Sequence, residues 1–215
     1  MGKQFSLDID EYQASIYLSA IRSKRDIVLL WMETIKNFLV GQPAEGGRVS
    51  ASLSICVDKM SRLFCTSEGG RKIFSVSFPF SVSFGSDQFR FLSREGVEID
   101  SRISSNIIAL IVSNEIFGVQ DFSSFIDPIL ELSEYDPQLW TLMRELMIAE
   151  DGYIRYDWDE TREDGHRHPL HHLDVYYSSA STFKVGLGQQ LDQTLFVSIL
   201  DLTTDCHYLK PIPPV

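Results

Sequence analysis

A strict alternation of apolar and polar residues from residue 74 to residue 84 constrains the fold more than any other feature of the sequence. Serines and Pro79 stand between its apolar members, which are Phe74, Val76, Phe78, Phe80, Val82 and Phe84. A period of two places alternate side chains on opposite faces of a strand, so the run predicts an antiparallel sheet with one covered, apolar face. Pro79 lacks a backbone N–H, which predicts an edge strand or a bulge near it.

Helical spacing of apolar residues dominates the rest of the chain. Residues 10–40 predict a long N-terminal helix, or two shorter ones, and Asp100 is a candidate N-cap for another. A helix is also expected after Asp121, and Asp136 followed by Pro137 marks the start of the next. A C-terminal helix is predicted over residues 190–202. This order predicts one α+β domain over residues 1–215, with an antiparallel sheet that has one face covered by helices.

The formal net charge of −11 limits the partners that such a chain can bind. A strongly negative protein repels phosphate backbones, so nucleic acid would be contacted only through a local basic patch or a bound metal. A basic cluster at Arg22, Lys24 and Arg25 falls on the N-terminal helical pattern, which predicts a solvated helix face.

The three cysteines, Cys56, Cys65 and Cys206, are odd in number and have no Cys-x-x-Cys spacing. This pattern argues against a disulfide framework and a structural zinc site, and it favours a reducing compartment. No apolar run approaches the roughly 18 residues that a membrane span requires. We therefore expect a cytoplasmic protein with no membrane partner.

Four of the five histidines fall within residues 153–184, which is the strongest candidate for a functional site. Strand alternation over residues 153–158 places Arg155 and Asp157 on one face. In a following hairpin, pairing Val175 with Phe183 and Leu173 with Val185 sets Lys184 opposite Asp174. One sheet face would then carry His172, Asp174, Tyr176 and Lys184, with Arg155 and Asp157 nearby if their strand joins the sheet.

These residue types fit a divalent-metal site for phosphodiester chemistry. Asp157, Asp174 and His172 would hold Mg²⁺ or Mn²⁺, and Lys184 would stabilise the developing negative charge, which makes Asp174, Lys184 and His172 the catalytic candidates. The parts resemble those of the Asp…(Asp/Glu)-x-Lys nucleases. Thr182 occupies the place of the expected second acid, so that acid would have to come from elsewhere, such as Asp157 or Asp159.

Ordinary ion pairing is the alternative interpretation of the same residues. Asp174 with Lys184 and Arg155 with Asp157 would be cross-strand or same-strand pairs, and an exposed pair would contribute under about 1 kcal/mol. In that case the pairs have a purely structural role. A third interpretation is that the face binds a ligand or a protein partner without any cofactor. Its candidate binding residues are Arg155, Tyr156, Asp157, His168 and Tyr176.

The last third of the chain also resembles a family of uncharacterised bacterial proteins, often encoded near toxin or phage-defence genes. The resemblance lies in Arg155-Tyr156-Asp157 followed by His168-Pro169-x-x-His172-Leu173. It implies a bacterial cytoplasmic protein with a place in a defence or toxin system, and it transfers no catalytic residue. We expect an accessory or interaction protein with a protein partner, and the alternative is a metal-dependent nuclease or phosphoesterase.

Overall fold

A computed structural model describes residues 3–41, 48–57, 60–113, 122–165, 167–178 and 181–207. The strands within these residues are β1 (Lys3–Ile9), β2 (Ala51–Val57), β3 (Arg62–Ser67), β4 (Lys72–Ser77), β5 (Ser81–Gly85), β6 (Gln88–Leu92), β7 (Ile154–Trp158), β8 (His171–Ser178) and β9 (Ser181–Gly186). The helices are α1 (Glu11–Tyr17), α2 (Lys24–Val40), α3 (Ser101–Val112), α4 (Phe122–Tyr135), α5 (Gln138–Ile148) and α6 (Gln193–Leu200).

Seven of the described strands form one antiparallel sheet in the order β1-β2-β3-β4-β7-β8-β9, and β5 pairs with β6 in a separate ribbon. The first five helices and one face of this sheet form a large core. Its members include Trp31, Ile107, Leu142 and Phe74. Helix α6 packs on the opposite face, where Phe196 joins a smaller core. The predicted α+β fold with helices over an antiparallel sheet is confirmed, and so is the C-terminal helix.

Of the two alternatives predicted for residues 10–40, the two shorter helices form and the single long helix is not confirmed; a strand precedes them. Ser23 has extended backbone angles, with φ −147° and ψ 164°, and it caps α2 in a reciprocal capping box with Asp26. A residue in that conformation cannot continue a helix from α1, and it satisfies the free N–H groups that begin a new one. The break leaves Arg22 on the connecting segment.

The basic cluster is likewise not a solvated helix face. Lys24 donates to the carbonyl of Ala149 and pairs with Asp151, and Arg25 donates to the carbonyl of Ile111 at 3.1 Å. These contacts tie the start of α2 to the ends of α5 and α3.

The alternating run of residues 74–84 is mostly buried, as predicted, but it does not form one strand. Strand β4 ends at Ser77, and the chain passes Pro79 before β5 begins at Ser81. Its apolar residues are buried as far as Val82, whereas Phe84 is 53% exposed at the end of the ribbon. Ser75 is also buried, because α6 and its flanking chain cover the second sheet face.

Two of the predicted helix starts lie within one residue of the observed ones. Asp100 accepts the Ile103 N–H at 2.7 Å at the start of α3. The Asp136 carboxylate accepts the Gln138 N–H at 3.2 Å where α5 begins. Asp121 lies outside the described residues, and α4 begins at the next residue.

The three cysteines all lie among the described residues, and none of them is in a disulfide. In the described part of the chain, no helix has the length and apolar character needed to cross a membrane.

Candidate functional site

Strands β7, β8 and β9 bring the predicted polar residues onto one sheet face. Arg155 pairs in register with Asp174, and Asp157 pairs with His172. Asp174 in turn lies opposite Lys184, which confirms the predicted hairpin register. The turn residues Ser179 and Ala180, predicted to lie in the hairpin loop, are outside the described residues.

The polar residues of the site lie on the same side of the sheet as the large core. Strand β4 sets Lys72 opposite Asp157 and Phe74 opposite Arg155. Since paired residues in a sheet point to the same side, the buried aromatic residue and the charged residues share one face. The site therefore lies at the border of the core, where charged side chains are largely shielded from water.

Arg155 is the centre of a network of buried ion pairs. Its Nε donates to Asp157 Oδ2 at 2.7 Å, and its Nη2 donates to Asp174 Oδ2 at 2.6 Å. Lys184 Nζ donates to Asp174 Oδ1 at 2.5 Å. The two carboxylates are each only 9% exposed, so these contacts are charge-assisted hydrogen bonds in a shielded environment.

His172 is fully buried beside this network. Its Nδ1 lies 2.8 Å from the carbonyl oxygen of Pro169, and its Nε2 lies 3.7 Å from Asp157 Oδ2. Among the described residues, Nε2 has no hydrogen-bond partner. Burial lowers the pKa of His172 below its ordinary value, and the Lys184 charge adds to this effect against the opposing influence of Pro169 and the two aspartates. One ligand atom each from Asp157, His172 and Asp174 lie within 4.8 Å of one another.

A pocket of about 250 Å³ opens beside the network, between β4, β7, β8 and the segment that joins α1 to α2. Four cationic side chains, Arg22, Lys72, Arg155 and Arg162, line it against a single carboxylate, Asp157. Two of them already have anionic partners, because Arg155 also pairs with Asp174 and Arg162 pairs with Asp159. Arg22 has no side-chain partner among the described residues, and Lys72 donates to the Leu18 carbonyl.

Of the two tyrosines predicted to belong to the site, Tyr176 lies at the pocket and Tyr156 does not. Tyr176 lines the pocket and packs against Tyr153, with ring centroids 4.5 Å apart. Tyr156 is not part of this face: it is buried in the smaller core, and its hydroxyl shares a 2.8 Å hydrogen bond with His171 Nδ1. The alternation of β7 requires this placement, so Tyr156 is excluded as a binding residue of the polar face.

His168 and Asp159 form a second pair beside the site. His168 Nε2 lies 3.2 Å from Asp159 Oδ2, and its ring meets the His172 ring edge to face at 4.6 Å. Burial opposes ionisation of Asp159, but hydrogen bonds from Arg162 and His168 hold its pKa below the ordinary value. Of the two acids considered as a second metal ligand, Asp157 is the one that lies close to Asp174 and His172 among the described residues.

Three cationic residues of the pocket, Arg22, Lys72 and Arg162, escaped the sequence-based selection. Lys72 reaches the site through the pairing of β4 with β7, whose residues are about eighty positions apart, and no local pattern encodes it. Arg22 was assigned to a helix face, although the Ser-x-x-Asp capping box at Ser23 was a readable signal of a helix start just after it. Arg162 lies in a charge-dense loop whose pairing with Asp159 was not predicted.

Comparison with protein-family models, with characterised proteins and with solved structures finds no match. The chemical capacity of the site therefore follows from its geometry alone. It offers a group of cations around the pocket and a buried carboxylate-imidazole cluster behind it. The first suits an anion, and the second suits a divalent metal ion.

Proposed function

We propose that this is a cytoplasmic accessory or interaction protein whose polar sheet face binds a phosphate-bearing ligand. The observation that carries the proposal is the cationic pocket in a chain with a net charge of −11. The net negative charge of the protein makes a cationic pocket unexpected. Chance clustering of basic residues is therefore a weak explanation for the pocket. The resemblance to bacterial proteins encoded near defence or toxin genes adds a bacterial setting and a protein partner to the proposal.

The charges around the pocket leave a positive excess. Lys184 is a fifth cation near it, and the carboxylates are Asp157, Asp159 and Asp174. Asp26 also lies beside Arg22, where its carboxylate accepts the Arg22 backbone N–H at 2.8 Å, so the described groups leave one net positive charge, which favours an anion such as phosphate. Arg155, held by two carboxylates, presents its guanidinium in a fixed orientation, so little side-chain entropy is lost on binding.

Calorimetric titration with inorganic pyrophosphate tests the proposal. We expect wild-type protein to bind, and Arg22→Gln to weaken binding by about tenfold, which corresponds to one charged contact. Arg48→Gln is the matched control, because Arg48 is 82% exposed and outside the lining of this pocket. Equal affinities of the two variants, or no binding by the wild type at millimolar concentration, would overturn the proposal.

Metal-dependent hydrolysis of a phosphodiester is the second candidate function. It is favoured by the convergence of the Asp157 and Asp174 carboxylates with His172 beside a pocket. The two acids would hold Mg²⁺ or Mn²⁺, and Lys184, whose side chain is 37% exposed, would stabilise negative charge on the substrate. A nucleic-acid substrate would approach through the cationic pocket, against the overall charge of the chain.

Hydrolysis of bis(p-nitrophenyl) phosphate in the presence of Mn²⁺ tests this candidate. Lys184→Met should lower kcat about 100-fold while circular dichroism shows an unchanged fold, since the Lys184 side chain is partly exposed. The control is again Arg48→Gln, which should retain full activity. If wild type and Lys184→Met turn over at the same rate, or neither exceeds the buffer rate, the enzymatic candidate is excluded.

A further inference from the structure

The Nε2 atom of His172 is a buried polar atom beside the ion-pair network. The side chain is fully buried, and in the described structure Nε2 has no hydrogen-bond partner. A buried polar atom without a partner costs free energy, so a group that satisfies it is expected in the functional state. The nearest candidate contact is Asp157 Oδ2 at 3.7 Å, which is too long for a hydrogen bond.

The protonation of the imidazole follows from its other nitrogen. A carbonyl oxygen only accepts, so the 2.8 Å contact with Pro169 requires a proton on Nδ1. In the neutral ring, Nε2 then carries a lone pair, and Asp157 Oδ2 lies 3.7 Å from this nitrogen. Lone pair and carboxylate repel unless a positive centre lies between them. A backbone carbonyl that fixes the ring through Nδ1–H is also the usual support for a metal-binding histidine.

We infer that Asp157, His172 and Asp174 bind a divalent transition-metal ion. One nitrogen and two carboxylate oxygens suit Mn²⁺ or Zn²⁺ better than Mg²⁺, which prefers oxygen ligands and retains its waters. The three ligand atoms lie within 4.8 Å of one another. Ligands about 2.1 Å from one ion lie roughly 3–4 Å apart, so side-chain shifts of less than about 1 Å close the site.

Arg155 and Lys184 pair with the two carboxylates. With two carboxylates and two cations, the cluster is neutral, and a divalent ion makes it doubly positive. An anion in the adjoining pocket offsets that charge. Metal and anion therefore stabilise each other, and each should raise the affinity for the other by the same factor. The metal site itself does not depend on the phosphate proposal.

Titration of the chelator-treated protein with Mn²⁺, followed by the electron paramagnetic resonance of the free ion, tests the inference. We expect one site, at least tenfold tighter for Mn²⁺ than for Mg²⁺ in competition, and tighter still with methyl phosphate present. His172→Asn should weaken Mn²⁺ binding by about 100-fold. His171→Asn is the matched control, because this neighbour lies on the opposite sheet face against Tyr156 and should leave affinity unchanged.

Because His172→Asn removes a fully buried ring, a measurement on wild-type protein supplements the variants. In ¹⁵N-histidine-labelled protein, substoichiometric Mn²⁺ should broaden the imidazole signals of His172 before those of His171. Equal effects of the two substitutions, or broadening of His171 and His172 in parallel, would overturn the inference. If the wild-type protein binds pyrophosphate but does not bind Mn²⁺, the metal site is rejected and the phosphate site is not.

Discussion

Asp174 should contribute more to the free energy of unfolding than an exposed hairpin residue would. An exposed cross-strand pair contributes under about 1 kcal/mol, which was one interpretation of Asp174 with Lys184. The carboxylate is in fact 9% exposed and accepts from both Arg155 and Lys184. Removing its charge leaves a buried guanidinium with one carboxylate instead of two.

We therefore predict that Asp174→Asn lowers the free energy of unfolding by about 3–5 kcal/mol, the usual cost of breaking a buried ion pair. Urea unfolding monitored by circular dichroism measures it. Glu160→Gln serves as control: Glu160 also pairs with an arginine, but its side chain is 53% exposed, and the expected change is under about 1 kcal/mol. Indistinguishable losses in the two variants would mean that burial of Asp174 carries no energetic consequence.

The three thiols should differ sharply in reactivity. Burial raises the pKa of Cys65 to about 12, although Lys72 acts in the opposite direction, so the reactive thiolate is scarce at neutral pH. Cys206 is exposed, and Cys56 is intermediate. We predict that iodoacetamide modifies Cys206 first and spares Cys65 in the native protein, whereas denatured protein yields three free thiols by mass spectrometry. Early modification of Cys65, or fewer than three thiols, would contradict this.

At the level of elements, the register of the β8–β9 hairpin could be predicted from the sequence. The pairing of strands that are far apart in the sequence could not. Only one hairpin parity keeps Val175 and Phe183 together, so the sequence sufficed to place Asp174 opposite Lys184. The break at Pro79 was signalled by its missing N–H, but the alternation continues unchanged beyond it. Nothing in that pattern distinguishes the last strand of one sheet from the first of another.

Burial along the alternating run predicts unequal effects of the same substitution. Phe78 is fully buried, whereas Phe84 is 53% exposed. Phe78→Ala should cost about 3–5 kcal/mol of unfolding free energy, and Phe84→Ala under about 1 kcal/mol. Thermal or urea unfolding of the two variants measures the difference. A Phe78→Ala protein with wild-type stability would rule out burial at that position.

At the scale of the whole molecule, the site depends on contacts that span the chain. The segment after α1 supplies Arg22, β4 supplies Lys72, and β7 to β9 supply the ion-pair network. The sequence could locate the last of these, because it is local. It could not locate the first two, which reach the site only through the helix break and the β4–β7 pairing.

The sheet also predicts how the molecule unfolds. The two cores lie on opposite faces of the same strands: Phe74 belongs to one and Ile73 to the other. Losing either core therefore destabilises β4 and with it the other core. We predict a single cooperative transition, with coincident curves from tryptophan fluorescence and far-ultraviolet circular dichroism in urea. Two separated transitions would instead show that the chain contains two independent units.

Anion binding at the polar face is tested most directly by a crystal structure of the full chain with tungstate, a heavy tetrahedral analogue of phosphate. The predicted result is an anomalous peak in the pocket, within hydrogen-bond reach of the guanidinium groups of Arg22 and Arg155. Tungstate bound elsewhere on the protein, with only water beside Arg22 and Arg155, would contradict the assignment of this face as an anion site.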